Sequence, residues 1–204
     1  MEKTILLDNY FKSCTFTGYR PSKFPFELNK KNIQYIEFEN RLSDAVLTLF
    51  DRGFYTFYTG AAMGFDIIAA ETVLQLRKAY NKASIKLVCA IPFKGQSDAF
   101  SDNWKGRYDN VVSAADETIL LSDSYFKGCY QRRNEFMVNN SELVLTWFDG
   151  HAGGTGNTLY YAQKNNKEII NLYNGAINDY SSYYDFILVD EEIKFLVDLM
   201  RCIR

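Results

Sequence analysis

The chain has 204 residues, 47% of them hydrophobic and 24% charged, which is enough for one domain with a sizeable core and excludes a disordered polypeptide. Lys+Arg number 23 and Asp+Glu 25, so the net charge is −2. That balance argues against a dedicated nucleic-acid binder, whose phosphate affinity rests on accumulated cations, while leaving room for a local basic patch.

The first apolar run, Cys14–Thr17, reads as a buried strand and leads into Thr17-Gly18-Tyr19-Arg20-Pro21. Gly18 permits a tight turn there, and Arg20 is either a phosphate ligand or an ordinary surface arginine. Asn32–Asp51 carries apolar residues at helical spacing, among them Ile33, Ile36, Phe38, Leu42, Val46, Leu49 and Phe50, and it stops before Gly53. The second strand, Tyr55–Thr59, runs into Gly60-Ala61-Ala62-Met63-Gly64-Phe65-Asp66, which opens a helix over Phe65–Tyr80. Small residues at a helix entrance leave backbone N–H groups and the helix dipole free to receive an anion. Asp66 and Glu71 fall in the early turns of that helix. Both simply complement the dipole, or Asp66 accepts hydrogen bonds from a ribose hydroxyl.

Ile85–Ile91 is the third strand, followed by Pro92-Phe93 and a less regular helix over Asp98–Ala115 that holds Trp104 and Tyr108. Some of these aromatics are candidates to stack on a base, although most aromatics in such a chain belong to the core. Glu117–Leu121 is the fourth strand, with a helix over Tyr130–Asn140 behind it. Arg132 and Arg133 near that helix start are candidates to face a phosphate. They lie about 100° apart on a helix and do not easily serve one site, so the alternative is one solvated arginine and one paired with an acid.

The fifth strand, Leu143–Phe148, ends in Asp149-Gly150-His151-Ala152-Gly153-Gly154-Thr155-Gly156-Asn157-Thr158, before a helix over Thr155–Asn166. This is the strongest local signal. Glycines allow close backbone approach, and threonine hydroxyls cradle a phosphate or cap the helix; a simple flexible loop is the competing reading. Glu168–Leu172 is the sixth strand, Asn174–Tyr184 a polar loop, and Asp190–Cys202 a final helix with Asp190 as its N-cap.

Most of the six strands are near-continuous apolar runs, as in strands covered on both faces, and they alternate with helices. The expected fold is therefore an open three-layer α/β sheet of Rossmann-like type, with parallel strands and helices on both faces. It forms one domain over residues 1–204, with a loop-and-helix appendage at 174–204. Ligands of such sheets bind outside the carboxyl ends of the strands, near the switch point in strand order.

No run approaches the roughly 20 apolar residues of a membrane span. Met1–Asp8 has no long apolar core and carries acids, so it is not a signal peptide. Cys14, Cys89, Cys129 and Cys202 show no CxxC spacing, which argues against a zinc site and for reduced, mostly buried thiols in a cytoplasmic protein. His151 is the sole histidine, so a multi-histidine metal site is excluded and no metal is expected. It reads as a loop residue rather than a general base, because no Asp-His-Ser partnership is evident in the sequence.

Taken together, these residues resemble the SLOG superfamily, the Rossmann-like group that includes DprA/Smf and the LOG cytokinin-activating enzymes. Within it the chain is most similar to the YpsA-like family. The resemblance is carried by Thr17-Gly18-Tyr19-Arg20, Gly60 and Gly64 with Asp66 and Ala69-Ala70-Glu71, and Pro92-Phe93. Asn103-Trp104, Arg133-Asn134 with Met137-Val138, and Asp149-Gly150 ahead of Gly153-Gly154-Thr155 with Asn157-Thr158 complete it. It spans roughly Cys14 to Tyr173, and the order and spacing of the motifs are more specific than any one of them.

The resemblance implies a cytoplasmic protein that binds a nucleotide or nucleotide-derived ligand, of NAD or ADP-ribose type, as a sensor or regulatory module. Superfamily members are proposed as sensors of such ligands, including NAD-derived signals in anti-phage defence, and YpsA-like proteins are associated with bacterial cell division. A homodimer is expected, and nucleic acid and membrane are not expected as partners. The ligand-binding residues it implies are Thr17, Gly18, Tyr19, Arg20, Gly60, Gly64, Asp66, Arg133, Asn134, Asp149, Gly153, Gly154, Thr155, Asn157 and Thr158. One departure bears on chemistry. The LOG pattern GGxGTxxE, laid on Gly153-Gly154-Thr155-Gly156, puts Asn157 where threonine belongs and Tyr160 where the catalytic glutamate belongs. A tyrosine, neutral at pH 7 with an ordinary pKa of about 10, does not replace that carboxylate. LOG-type hydrolysis would then need Asp66 or Glu71 as the carboxylate. An N-glycosidase acting on nucleotides and a DprA-like single-stranded DNA binder stand as the alternative functions.

Overall fold

The computed structural model describes residues 11–80, 84–173 and 175. Six strands alternate with five α-helices: β1 (Lys12–Gly18), α1 (Ile33–Asp51), β2 (Phe54–Thr59), α2 (Phe65–Ala79), β3 (Lys86–Ile91), α3 (Asp102–Ala114), β4 (Glu117–Leu120), α4 (Cys129–Asn139), β5 (Leu143–Trp147), α5 (Gly154–Lys164) and β6 (Glu168–Asn171). A 3₁₀ turn, Pro21–Lys23, follows β1.

All strand pairings are parallel, in the order β4-β3-β2-β1-β5-β6. The chain steps outward from β1 to β4, then returns across the sheet to place β5 on the other side of β1. Right-handed crossovers therefore put α1, α2 and α3 on one face and α4 and α5 on the other, as their mutual packing shows. The switch in strand order falls between β1 and β5, which run in register from Cys14 opposite Leu143 to Gly18 opposite Trp147.

The core follows from the β period. Cys14 and Phe16 point to one face of β1, and Phe16 stacks on Phe57 at 5.7 Å and meets Phe65 of α2 edge-on at 6.4 Å. All three of those phenylalanines are fully buried. Trp147 lies at 5.0 Å from Phe38 of α1, closing the same layer. At the start of α1 the Asn32 carbonyl oxygen of the side chain accepts from the amides of Gln34 (2.9 Å) and Tyr35 (3.3 Å), the cap that fixes where this helix begins.

The predicted elements and the observed ones agree to within two residues at nearly every end. Two differences have physical causes. The irregular helix starts at Asp102 rather than Asp98, because residues 98–101 are spent on turns held by Asp98 N–H to Gly95 C=O (3.0 Å) and Phe100 N–H to Ser97 C=O (3.0 Å). The fourth strand, expected as a buried run, is instead an edge strand with Glu117, Thr118 and Leu120 exposed. The loop at Asn174–Tyr184 (apart from Gly175), the helix at Asp190–Cys202, Cys202 itself and Met1–Asp8 lie outside the described residues. Cys14, Cys89 and Cys129 are buried free thiols. Burial pushes the Cys89 thiol up to about 12 and the Cys14 thiol higher still. Among the described residues no helix is long and apolar enough to cross a membrane.

Candidate functional site

The carboxyl ends of β1, β2 and β5 lie side by side, and the loops that leave them are tied to one another. Tyr19, buried immediately after β1, donates its hydroxyl hydrogen to the Asp149 carboxylate after β5. The same oxygen of Asp149 accepts from the His151 amide (3.1 Å) and meets the His151 ring Nδ1 at 2.7 Å. Burial works to raise the Asp149 carboxyl, but the bonds from Tyr19 and His151 outweigh it and hold the group below the ordinary carboxylate range. Behind it, the buried side chain of Asn171 accepts from Phe148 N–H (3.0 Å) and donates to Phe148 C=O (2.7 Å), fixing where β5 ends.

The β2–α2 loop docks on the β1 loop. Gly64 has φ +94°, and a Cβ there would collide with the Tyr19 carbonyl, so the position needs glycine on both counts. That carbonyl accepts from Phe65 N–H at 3.0 Å. The Thr59 hydroxyl accepts from Ala61 N–H (3.1 Å) and donates to Asp66 C=O (3.0 Å), holding the turn. Gly18 gives up its side chain to the Phe65 ring, which fills that space.

Beneath this loop lies a buried polar group. The Arg133 guanidinium occupies the space a Gly60 side chain would need and donates to the Gly60 carbonyl. Gln96 donates to the same carbonyl (2.9 Å) and to Ala61 C=O (3.2 Å). Asp66 is 5% exposed; its carboxylate accepts from the Gly60 and Ala62 backbone and stands 4.0 Å from Arg133. Burial pushes the Asp66 carboxyl above its ordinary range, against the opposite pull of Arg133 and Arg20.

A relay of side chains leads from here to α5. Arg133 Nε donates to Asn134 Oδ1 (2.7 Å), Asn134 Nδ2 to Thr158 Oγ1 (2.7 Å), and Thr158 Oγ1 to Gly154 C=O (2.8 Å). Thr155 Oγ1 donates to Gly18 C=O at 3.0 Å, fastening the start of α5 to the end of β1. Helices α2, α4 and α5 start after Gly64, Gly128 and Gly153, none of which offers a capping side chain. The amides of a helix's first turn have no partner within the helix, and the dipole adds partial positive charge there. Lys23 brings an ammonium to this edge: it lies 5.5 Å from the Tyr19 ring centroid and 3.1 Å from where a Gly153 Cβ would stand.

The structure thus gathers Gly18, Tyr19, Arg20, Asp149, Gly153, Gly154 and Thr155 at the β1–β5 switch, and Gly60, Gly64, Asp66, Arg133, Asn134 and Thr158 beside it. Other named residues stand apart. Thr17 is buried within β1, and Asn157 is exposed on α5. Glu71 is held by Arg107 of α3 in a two-point pair at 2.8 and 2.5 Å. Tyr160 is 42% exposed with Lys164 over its ring at 4.5 Å, so no carboxylate stands at that position. Arg132 is exposed and Arg133 buried, the split that their angular separation on a helix requires. Gly60 and Gly64 are glycines because Arg133 and the Tyr19 backbone crowd them, a protein–protein reason that loop composition does not reveal.

Lys23, Gln96, Asn171 and the Asp149–His151 pair are the parts of the site that sequence reasoning missed. Only the last had a signal, an acid and a histidine two residues apart after a strand. A separate cleft of about 650 Å³ opens between the segment Pro21–Gln34 and α3, with Phe24, Phe26, Trp104 and Arg107 in its wall; the glycine loops do not line it. Among the described residues, no group of three or more His, Cys, Asp or Glu side chains is placed to hold a metal.

The family model YpsA, described as the YspA SLOG family, matches residues 14–179, more than half of the chain. The chain is 34% identical over 122 residues to the SPbeta prophage-derived protein YoqJ of Bacillus subtilis, covering 54% of this chain and 70% of that protein. It is 26% identical over 147 residues to the UPF0398 protein BH1768 of Halalkalibacterium halodurans, covering 71% and 76%. Among solved structures, DNA processing protein A of Helicobacter pylori, described for its single-stranded DNA binding mode, superposes with a TM-score of 0.58 at 16% identity, covering 92% of this chain and 81% of that one. The Streptococcus pneumoniae counterpart gives 0.56 at 14% identity; 93% of this chain is covered but only 57% of the other. At these identities the structural likeness shows the fold alone.

Proposed function

The chain belongs to the YspA SLOG family, and on that premise we propose that it binds a nucleotide or nucleotide-derived anion at the carboxyl edge of the sheet, as a sensor or regulatory module. The observation that carries this reading is the convergence of glycine-started helices. The amino ends of α2 and α5, with α4 alongside, meet at the strand-order switch, with Arg20 and Lys23 beside them. The first amides of α2 and α4 are spent on the carbonyls of Tyr19 and Phe126, so the amino end of α5, the dipoles of the other two helices and the two cations make the phosphate cradle, without needing a basic surface overall.

Binding rather than cleavage is the better reading for the carboxylates. Asp66 is spent on its own loop and lies against Arg133, and Glu71 is spent on Arg107. Neither is placed as an unengaged carboxylate to stabilise an oxocarbenium-like transition state. The test is calorimetric titration of the purified protein with AMP, ADP-ribose and NAD, with chromatography of the nucleotides after prolonged incubation. Saturable binding with intact nucleotide recovered supports the reading. No binding by any of the three refutes it, and release of free base would turn it into an N-glycosidase.

A further inference from the structure

Three aromatic rings meet outside the core, on the loops that leave β3 and β4 and on the first turn of α4, at this same edge of the sheet. Phe93 meets Tyr125 edge-on at 5.4 Å and Tyr130 edge-on at 5.7 Å, and Phe126 follows Tyr125 in the chain. Tyr125 is 63% exposed, Phe126 38% and Tyr130 36%. Apolar rings scattered singly on a surface need no explanation, but a contiguous exposed cluster marks a site of contact. The two loops that carry it are pinned together by Lys94 N–H donating to Ser122 C=O at 3.1 Å, so the cluster has a fixed base.

The cluster is continuous with the phosphate cradle. Arg20 lies over the Tyr130 ring, its guanidinium carbon 5.9 Å from the centroid, and Arg20 directly follows Tyr19, which binds Asp149 and Phe65. Tyr130 itself sits in the first turn of α4, one of the glycine-started helices. We propose that Phe93, Tyr125 and Tyr130 form a stacking platform for the base of a free nucleotide whose phosphate occupies the cradle. This rests on the proposed anion site and adds which end of the ligand goes where.

The chemistry favours a base over another apolar group. A flat π-face beside an arginine matches a heterocycle joined to an anion, and aromatic stacking accepts any base because every base has a π-face. A free nucleotide fits better than a polymer strand, because a net charge of −2 argues against the accumulated cations on which affinity for a continuous phosphate backbone rests. The platform predicts weak discrimination among bases and strong dependence on having one.

The experiment compares AMP with ribose 5-phosphate, which shares the sugar and phosphate and lacks the base. Wild-type protein should bind AMP at least tenfold more tightly than ribose 5-phosphate, and GMP within a few-fold of AMP. In Tyr125→Ala/Tyr130→Ala that preference should vanish, while Tyr125→Phe/Tyr130→Phe should retain it; circular dichroism checks that both remain folded. Wild-type protein that binds both ligands equally overturns the platform and leaves the cradle standing. So does a double alanine variant that keeps the preference, or loss of the preference in Trp104→Ala instead, which would put the base in the neighbouring cleft. Wild-type protein that binds neither ligand overturns the platform, and the cradle falls with it when ADP-ribose and NAD fail to bind as well.

Discussion

The Arg133 guanidinium occupies the volume that a side chain at Gly60 would fill, and it donates to the carbonyl of that same glycine. Two residues 73 positions apart are therefore one structural unit. Arg133 is 4% exposed and lies against Asp66, so its position fixes the β2–α2 loop from below while the outer side of the loop faces the cradle.

Gly60→Ala should therefore unfold the protein more easily than a loop substitution ordinarily does. The new methyl group has no room unless the buried guanidinium leaves its partners, which costs about 3 kcal/mol or more. In an Arg133→Ala background the same substitution should cost less, by at least about 1 kcal/mol, because the clash is gone. Urea denaturation of the four proteins in the cycle measures this coupling, and additive effects would contradict it.

Asp149 makes stability depend on pH in a defined direction. Its folded carboxyl titrates below the unfolded value, near 3.9 for an ordinary aspartate, so its contribution is fully present above that value and is lost as pH falls through the folded one. Asp149→Asn should destabilise the protein at pH 7 by about 1.5–3 kcal/mol, the range for hydrogen bonds to a charged group. The difference from wild type should shrink in acid, below the ordinary carboxylate range, as the wild-type carboxyl takes up its own proton. Chemical denaturation across a pH series gives the curve; a penalty constant down to pH 2 would be inconsistent with it.

Asn171→Leu should be costly although it puts an apolar side chain in a buried place. Both backbone groups of Phe148 would lose the amide partner now at 3.0 and 2.7 Å. Loss of a hydrogen bond by a buried backbone group costs about 1–3 kcal/mol, so a loss of about 2–5 kcal/mol is expected in thermal or urea unfolding. The loop after β5 should also become more susceptible to proteolysis.

Lys23→Ala should separate binding from stability. The residue is exposed, and its ammonium stands at the edge of the anion site. Affinity for AMP should fall about two- to fivefold, equivalent to roughly 0.5–1 kcal/mol, with the effect smaller at high salt and the unfolding midpoint unchanged within error. Calorimetry at two ionic strengths measures it. An unaltered affinity at low salt would remove Lys23 from the cradle.

The local pattern of this chain determined much. Apolar runs of strand length alternating with 3.6-periodic stretches dictate a parallel α/β sheet, because such strands must be covered on both faces by helices that also return the chain. The glycine-rich entries to α2 and α5 were legible for the same reason: loop chemistry at the carboxyl end of a strand is local. The resemblance carried by those loops led to the family. Tertiary structure alone decided that β4 and β6 became the edges of the sheet. Glu117–Leu120 reads as a buried run, yet at its edge it leaves Glu117, Thr118 and Leu120 exposed, whereas the other edge strand, β6, is mostly buried. It also decided why Gly60, Gly64 and Gly18 are glycines, since their neighbours are Arg133, the Tyr19 backbone and Phe65, brought from elsewhere in the chain. The partners of Asp149, the burial of Arg133 but not Arg132, and the meeting of Arg20 with Tyr130 belong to the same class. Periodicity is a property of neighbours along the chain, whereas a close approach or a buried charge is set by residues that are neighbours only once the sheet has closed and the helices have packed on its two faces.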